Sequence, residues 1–489
     1  MKLPKKIINT PLDFFKKIPS SIPLASGMIL LACLLAGPIF TIPYHIPLNY
    51  NEGWNAYQAA RAIKADTTLP LYPQPGSMIF NNYPPLSFLF VGFIGHLSGD
   101  IIASGRAIGL FSQMTCALLV FCCVLRMGGT KTGAAAAGLL AALYSTVSFH
   151  DYVAINDPQW LANMVMLAGL TVLLPTPSPR RVICAALLVV MGGFIKHNLL
   201  ALPLSISLWL AWRDRQAFLI WCATGAVAVA GGFLLSTTLY GPAFLVDLLH
   251  HPRTYSPQGL ARGLGKLVEL TGLLIAAYLI WSYPASSPQQ RSARIFATLF
   301  LSIAFATGLF QRLGAGVTYN AHFETLLAAC LATGLVLSRP SRVAFIALSL
   351  SVIPLLVLAP FQMAREVRSI RTLQTNAVQW QEVITRIRAT PGPVACETLA
   401  LCYWAGKEET VDFFNLTQAI LAQKEAYPFA KIVQEHGFRL VQIDHVTRRQ
   451  DELSPVTGRD PLISALDAAG YTPAFNGPNG IVIFAPPTQ

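Results

Sequence analysis

The sequence predicts a mainly α, polytopic helical membrane protein with a small α/β region at its C-terminal end. Three observations carry this. Charged residues make up 12% of the chain and hydrophobic ones 54%, against roughly 25% charged in a soluble globular chain. Apolar runs of the length a membrane helix needs, ~20 residues at 1.5 Å rise each, recur through residues 1-362. Beyond them the composition turns polar, and short strand-like runs alternate with helix-like ones. The net charge of +12 does not point to nucleic acid, because Lys and Arg come in small groups between apolar runs with no basic stripe among aromatics.

Taken in order, the N-terminal arm carries Lys5, Lys6, Lys16 and Lys17 before an apolar run. It resembles a signal peptide, yet no small-residue cleavage site follows at Gly37 to Tyr44, so the run is read as a retained first span. Candidate spans lie near 21-42, 101-125, 133-149, 158-174, 182-195, 198-212, 217-239, 266-282, 295-311, 322-338 and 342-361, about 11 in all. Lys196, His197 and Asn198 interrupt the 182-212 run, leaving two short helices or one broken one. With a cytoplasmic N-terminus, alternate loops carry the pairs Arg126 and Lys131, Arg180 and Arg181, Arg213 and Arg215, Arg291 and Arg294, and Arg339 and Arg342. The opposite loops carry fewer basic residues spread over longer polar sequence. The positive-inside rule therefore supports that orientation, and an odd span count puts the C-terminal region outside.

The polar features with chemical character all fall on that outer side. The first outer loop, 43-100, opens with Y-N-E-G-W-N-A-Y-Q-A-A-R from Tyr50 to Arg61. A helix starting near Asn51 puts Glu52, Asn55 and Ala59 on one face. A carboxylate at membrane level is costly to desolvate, which makes Glu52 a functional candidate; capping by Asn51 and a favourable place for Glu52 at a positive helix end are compatible with it. The loop closes with N-N-Y-P-P-L, where the prolines fix an extended approach to the next helix and Tyr83 is the ligand-contact candidate. Asp157, in N-D-P-Q-W, either caps a helix or pairs functionally with Glu52. Lys196 and His197 break an apolar stretch with no partner acid in sequence; the lysine either snorkels to the interface or contacts a phosphate. Tyr319, Asn320, His322 and Glu324 open the tenth run, lining a cavity or anchoring the helix.

Residues 364-390 show a helical period, with Val367, Ile370, Leu373, Ala377, Trp380, Ile384 and Ile387 apolar. Past Pro391, strand-like runs at Val394 to Glu397, Val411 to Phe414, Arg439 to Ile443 and Gly480 to Phe484 alternate with helix-like ones at Thr417 to Lys424, Phe429 to His436 and Leu462 to Ala469. The expected division is a transmembrane module over 1-362 and an extracytoplasmic α/β domain over 363-489. Seven of nine cysteines sit in apolar spans without metal-ligand spacing. Cys396 and Cys402, in polar outer sequence, are either a disulfide or two separate thiols.

These residues, in this order, resemble the bacterial GT-C glycosyltransferases, polytopic enzymes that use polyprenyl-phosphate sugars and include protein O-mannosyltransferases and lipid A aminoarabinose transferases. The resemblance rests on the ordered set: Y-N-E-G-W-N-A at the first outer loop, Y-P-P-L at Tyr83 to Leu86, D-P-Q at Asp157, the Lys196 break and the outer C-terminal domain. It implies a glycosyltransferase of the bacterial inner membrane that moves a hexosyl or pentosyl unit from a polyprenyl-phosphate donor to a hydroxyl of a lipid, glycan or protein acceptor, with inversion. Glu52 then takes the place of the first-loop acid, as the general base that accepts the proton of the attacking hydroxyl, and Asp157 that of the second. Substrate contacts are expected from Asn51, Asn55, Tyr83, Lys196, His197, Arg262, His322 and Glu324, with Lys196 and either Arg262 or His197 facing the leaving phosphate. One departure stands out: relatives often carry two adjacent acids where Asn51 precedes Glu52 here. No cofactor is required by these residues, and a divalent metal is left open. A transporter or flippase of a lipid-linked or anionic substrate is the alternative, although paired broken helices in repeated halves are not found.

Overall fold

Apolarity and helix length part company along this chain. A computed structural model describes residues 21–487 apart from 66, 68, 75, 175, 423–427 and 445–460, so Lys5, Lys6, Lys16 and Lys17 lie outside the described residues. Among the described residues, six helices are long and apolar enough to span a membrane: Pro23–Thr41, Ile101–Arg126, Arg215–Tyr240, Pro288–Gln311, Tyr319–Leu337 and Arg342–Ala389. A seventh is complete if Pro257–Val268 and Thr271–Ser282, bent by 72°, form one broken span. The expectation of about 11 spans is corrected. The runs near 133-149, 158-174, 182-195 and 198-212 are helices, Lys131–Val147, Gln159–Leu173, Pro179–Ile195 and Ala201–Arg213, of 13 to 17 residues. They reach about 20–25 Å against a hydrocarbon core of ~30 Å.

These short helices are packed among the long ones rather than left as a separate layer. Leu140, Leu167, Ile206, Phe296 and Leu327 belong to one buried core. Small residues set how closely the helices approach, as in other membrane bundles. A Cβ added at Gly334 would lie 2.5 Å from that of Ala137.

The helix Arg342–Ala389 is 48 residues long and contains Pro354 and Pro360. It fuses the expected last span with the expected amphipathic helix, so the expected boundary at 362/363 falls inside it. Its far end carries Trp380, Ile384 and Ile387 into a core shared with Trp54 and Tyr57 of the first loop and Leu399 and Leu401 of the C-terminal region.

The C-terminal region holds a mixed four-stranded sheet in the order β1-β2-β4-β3. Strand β1 (Val394–Cys396) pairs in parallel with β2 (Leu440–Ile443), which pairs antiparallel with β4 (Val482–Ala485); β4 pairs antiparallel with β3 (Thr472–Asn476). Two sequence expectations are corrected here. Val411 to Phe414 is no strand, because the Asp412 side chain accepts from Asn415 N at 3.1 Å and starts the helix Phe413–Leu421. Thr472–Asn476 was not expected as a strand, Pro473 having masked it; it pairs only with β4, where a residue lacking an N–H is tolerated. Cys396 and Cys402 form a buried disulfide tying the end of β1 to the helix Leu399–Trp404.

Candidate active site

The first-loop motif becomes the helix Asn51–Ala62, started by the Asn49 side chain accepting from Asn51 N at 2.9 Å. An interfacial helix would leave one face in water, but most of this one is buried. The membrane helices cover one side and the C-terminal region the other. A Cβ added at Gly53 would stand 2.0 Å from Ala400 N, so only glycine lets the two backbones meet. Tyr57 Oη donates to Lys407 O at 2.7 Å, and Arg61 pairs with Glu409 at 2.8 Å with both side chains buried. Tyr50 Oη donates to Asp412 at 2.8 Å. Burial is the largest influence on Asp412 and raises its carboxyl above the usual carboxylate range.

Glu52 is fully buried and faces away from solvent. Arg106 grips it with both arms of the guanidinium, Nε to Oε1 at 2.7 Å and Nη2 to Oε2 at 2.8 Å. Leu48 N donates to Oε2 at 3.1 Å and Asn156 N to Oε1 at 3.3 Å. The remaining Arg106 hydrogens go to the carbonyls of Thr41, Ile42, Tyr44 and Ile46. This bidentate, fully desolvated pair clamps the first span, the loop and the helix Ile101–Arg126 together. Glu52, expected to face the cavity, is turned away from it, and its oxygens are saturated by protein donors.

Asn51, one residue earlier, does reach the cavity wall. Its Nδ2 lies 3.5 Å from Asp157 Oδ2. Asp157 caps the helix Gln159–Leu173, accepting from Gln159 N at 2.8 Å, and also meets Lys196 Nζ at 3.3 and 3.4 Å. Lys196 thus has the partner acid that the sequence did not display, across the break between Pro179–Ile195 and Ala201–Arg213. Its ammonium lies 4.8 Å from the centre of the Tyr83 ring, a favourable cation–π distance. His197 sits edge-on to the same ring at 6.3 Å. Acid, ammonium, carboxamide and phenol therefore form one contiguous cluster.

In front of this cluster opens a cavity of about 930 Å³. Tyr50, Asn51, Trp54 and Tyr83 form its floor, and Arg253, Arg262 and Arg312 line one wall. From the C-terminal region, Glu397, Asn415, Gln418 and Asp444 line another. Arg253 is held on two loops stitched together where Ser256 N donates to Leu313 O at 2.8 Å and Ala315 N to Thr254 O at 2.9 Å. Beside it, burial and then the Arg253 charge push the His251 imidazole down to about 4, which keeps it neutral at pH 7. Arg312 donates through Nη1 to Val317 O and lies 5.2 Å over the Tyr319 ring, while its Nε has no partner among the described residues. Among the described residues no three of His, Cys, Asp and Glu converge to hold a metal ion.

The architecture aligns with solved structures. ArnT from Cupriavidus metallidurans in the apo state superposes with a TM-score of 0.61 at 12% identity, over 94% of this chain and 97% of that one. The same protein bound to undecaprenyl phosphate gives 0.59 at 13% identity over the same shares. The chain shares the fold of these ArnT structures. An apo oligosaccharyltransferase from Archaeoglobus fulgidus also aligns, at a TM-score of 0.49 and 12% identity over 94% of this chain and 74% of that one. No family model and no curated protein matches the sequence.

Within this fold the sequence candidates separate into two groups. Asn51, Tyr83 and Arg262 line the cavity, with Asp157, Lys196 and His197 against its floor. Glu52, Asn55, His322 and Glu324 do not line it, and three of these have structural tasks. Asn55 donates to the carbonyls of Asn51 and Asn156. Glu324, expected to contact substrate, accepts from Ala201 N and Leu202 N and caps the helix beyond the Lys196 break. His322 is buried behind Arg312 and against Gly308, with no hydrogen-bond partner to either ring nitrogen among the described residues. Arg106, Arg253 and Arg312 were missed. An arginine inside the 101-125 apolar run was a signal that a buried acid must meet it, whereas nothing local marks a loop arginine as convergent.

Proposed function

We propose that this chain is an inverting membrane glycosyltransferase that moves a sugar from a polyprenyl-phosphate donor to an acceptor hydroxyl on the outer side of a bacterial inner membrane. The observation that carries this reading is the large cavity with an arginine wall opening onto the Asp157–Lys196 cluster. The donor's isoprenoid tail lies in the bilayer and its phosphate against Arg253, Arg262 and Arg312. A phosphate leaving group is already largely ionised near neutral pH. It needs cationic stabilisation rather than a general acid.

Asp157 takes the base role that the sequence had suggested for Glu52. In the free protein Lys196 neutralises it. When the donor phosphate enters, Lys196 turns toward the larger negative charge, and the freed Asp157 carboxylate accepts the proton of the attacking hydroxyl. Asn51 and Tyr83 orient the sugar above that pair. The acceptor oxygen displaces the phosphate in one step at the anomeric carbon, which inverts its configuration.

The orientation with the N-terminus in the cytoplasm and the C-terminal region outside is supported by the paired basic loops and by the Cys396–Cys402 disulfide, since such bonds persist in oxidising compartments. Residues 1-362 then carry the catalytic cluster, and 363-489, continuous with them through the helix Arg342–Ala389, close the cavity from above. The test is single-turnover transfer by Asp157→Asn and Lys196→Met variants in nanodiscs, alongside donor binding. Asp157→Asn abolishing transfer while donor still binds, with Lys196→Met weakening donor binding, is the expected pattern. Full transfer by Asp157→Asn removes the base assignment.

A further inference from the structure

At the end of the helix bundle away from the candidate active site lies a second, smaller cavity of about 130 Å³. Arg294 and Arg339 line it, together with Gln290, Ser338 and the 283–285 turn. Arg294 sits near the start of the helix whose other end delivers Arg312 to the large cavity, about 27 Å away at 1.5 Å per residue. The two sites are therefore separate.

This small cavity is built to hold its cations without neutralising them. Arg294 Nη1 donates to Tyr283 O at 2.8 Å, and Arg339 Nη1 to Pro284 O at 3.1 Å. Their guanidinium carbons lie 4.4 Å from the centre of the Trp281 ring and 5.2 Å from that of Tyr283, so aromatic faces rather than acids brace them. Among the described residues no carboxylate lines the cavity. Arg294 Nε is buried without an acceptor among the described residues. The Gln290 carboxamide oxygen is occupied by Ser286 N at 3.0 Å, which leaves its NH2 end to donate. Two fixed guanidinium groups, an orphaned buried N–H and an amide donor converge on a volume of about four waters, room for one tetrahedral anion.

We infer that this cavity binds a phosphate group carried by an anionic lipid headgroup. It stands on the side where Arg291, Arg294, Arg339 and Arg342 cluster, the side assigned to the cytoplasm, whose leaflet presents anionic lipids; basic pockets between helices there bind such headgroups. The Arg fork matches phosphate oxygens bidentately. The inference does not depend on the glycosyltransferase reading.

The test is a thermal-shift titration of the full chain in neutral detergent with phosphatidylglycerol, with phosphatidylcholine as the uncharged control and with inorganic phosphate. The wild type is compared with Arg294→Gln/Arg339→Gln and with the charge-keeping Arg294→Lys/Arg339→Lys. Saturable stabilisation by phosphatidylglycerol, weakened about ten-fold or more in the Gln pair as expected for losing charge-assisted bonds and only partly in the Lys pair, supports a lipid site. Saturation by inorganic phosphate with the same dependence on the arginines, but no response to the lipid, overturns the lipid source while keeping the anion site. Equal responses of the wild type and both variants, or equal stabilisation by phosphatidylcholine, overturn the site itself.

Discussion

Replacing Glu52 by Gln separates a structural acid from a catalytic one. Glu52 accepts four protein hydrogen bonds, two of them from the Arg106 guanidinium, and both side chains are fully desolvated. A glutamine keeps one acceptor oxygen but turns an NH2 toward groups that are already donors, and it leaves the Arg106 charge buried without a counter-ion. Removing one partner of a buried pair costs about 3–5 kcal/mol, whereas a solvated base in a cavity would change stability by roughly 0.5 kcal/mol or less. Thermal denaturation of the purified protein, followed by intrinsic tryptophan fluorescence, reads the difference. Glu52→Gln is expected to lower the transition clearly. Adding Arg106→Met, which removes the orphaned charge, is expected to recover part of the loss. An unchanged transition in Glu52→Gln together with lost transfer would refute the clamp and return the base role to this residue.

The other predictions address the loop, the donor wall and pH. Gly53→Val should pry the loop helix from the backbone at Ala400, costing about 1–3 kcal/mol by overpacking; limited proteolysis of the C-terminal region checks it, and an unaltered digestion pattern would contradict the contact. Arg253→Gln and Arg312→Gln should each raise the donor KM about ten-fold through loss of a charge-assisted contact, read by steady-state transfer, with little change in melting for Arg253→Gln and a lowered midpoint for Arg312→Gln, which also loses its bond to Val317 O. Burial, opposed by Arg61, pushes the Glu409 carboxyl up from 4.5 to about 7. In that window the folded chain binds more protons than the unfolded one, so stability falls as pH rises through it. Melting midpoints measured across the window should flatten in Glu409→Gln, and an identical slope in both proteins would refute the attribution.

What the sequence displayed was local. The helix beginning at Asn51, the break at Lys196 and strands near Val394, Arg439 and Gly480 are written in capping residues, interrupting charges and short apolar runs, and each stands where spacing puts it. The count of spans failed because hydropathy reports apolar composition, not the length of unbroken helix, and four short helices buried among longer ones read as full crossings. The surroundings of Glu52 were hidden for a related reason. Its partner Arg106 lies 54 residues on, within an apolar run, and only the fold reveals that the carboxylate points inward. Glu324 caps a helix 122 residues earlier, and Lys196 finds Asp157 across 39 residues. The residue types that suggest chemistry were legible, but their pairing was not.

Sugar transfer itself tests the central claim most directly. The measurement is incorporation of label from a panel of radiolabelled polyprenyl-phosphate sugars into envelope extract by the wild-type protein in nanodiscs. The account predicts time-dependent transfer from at least one donor, with the anomeric configuration inverted in the product. Saturable donor binding with no transfer or donor cleavage for any member of the panel would contradict it and favour a carrier of lipid-linked cargo.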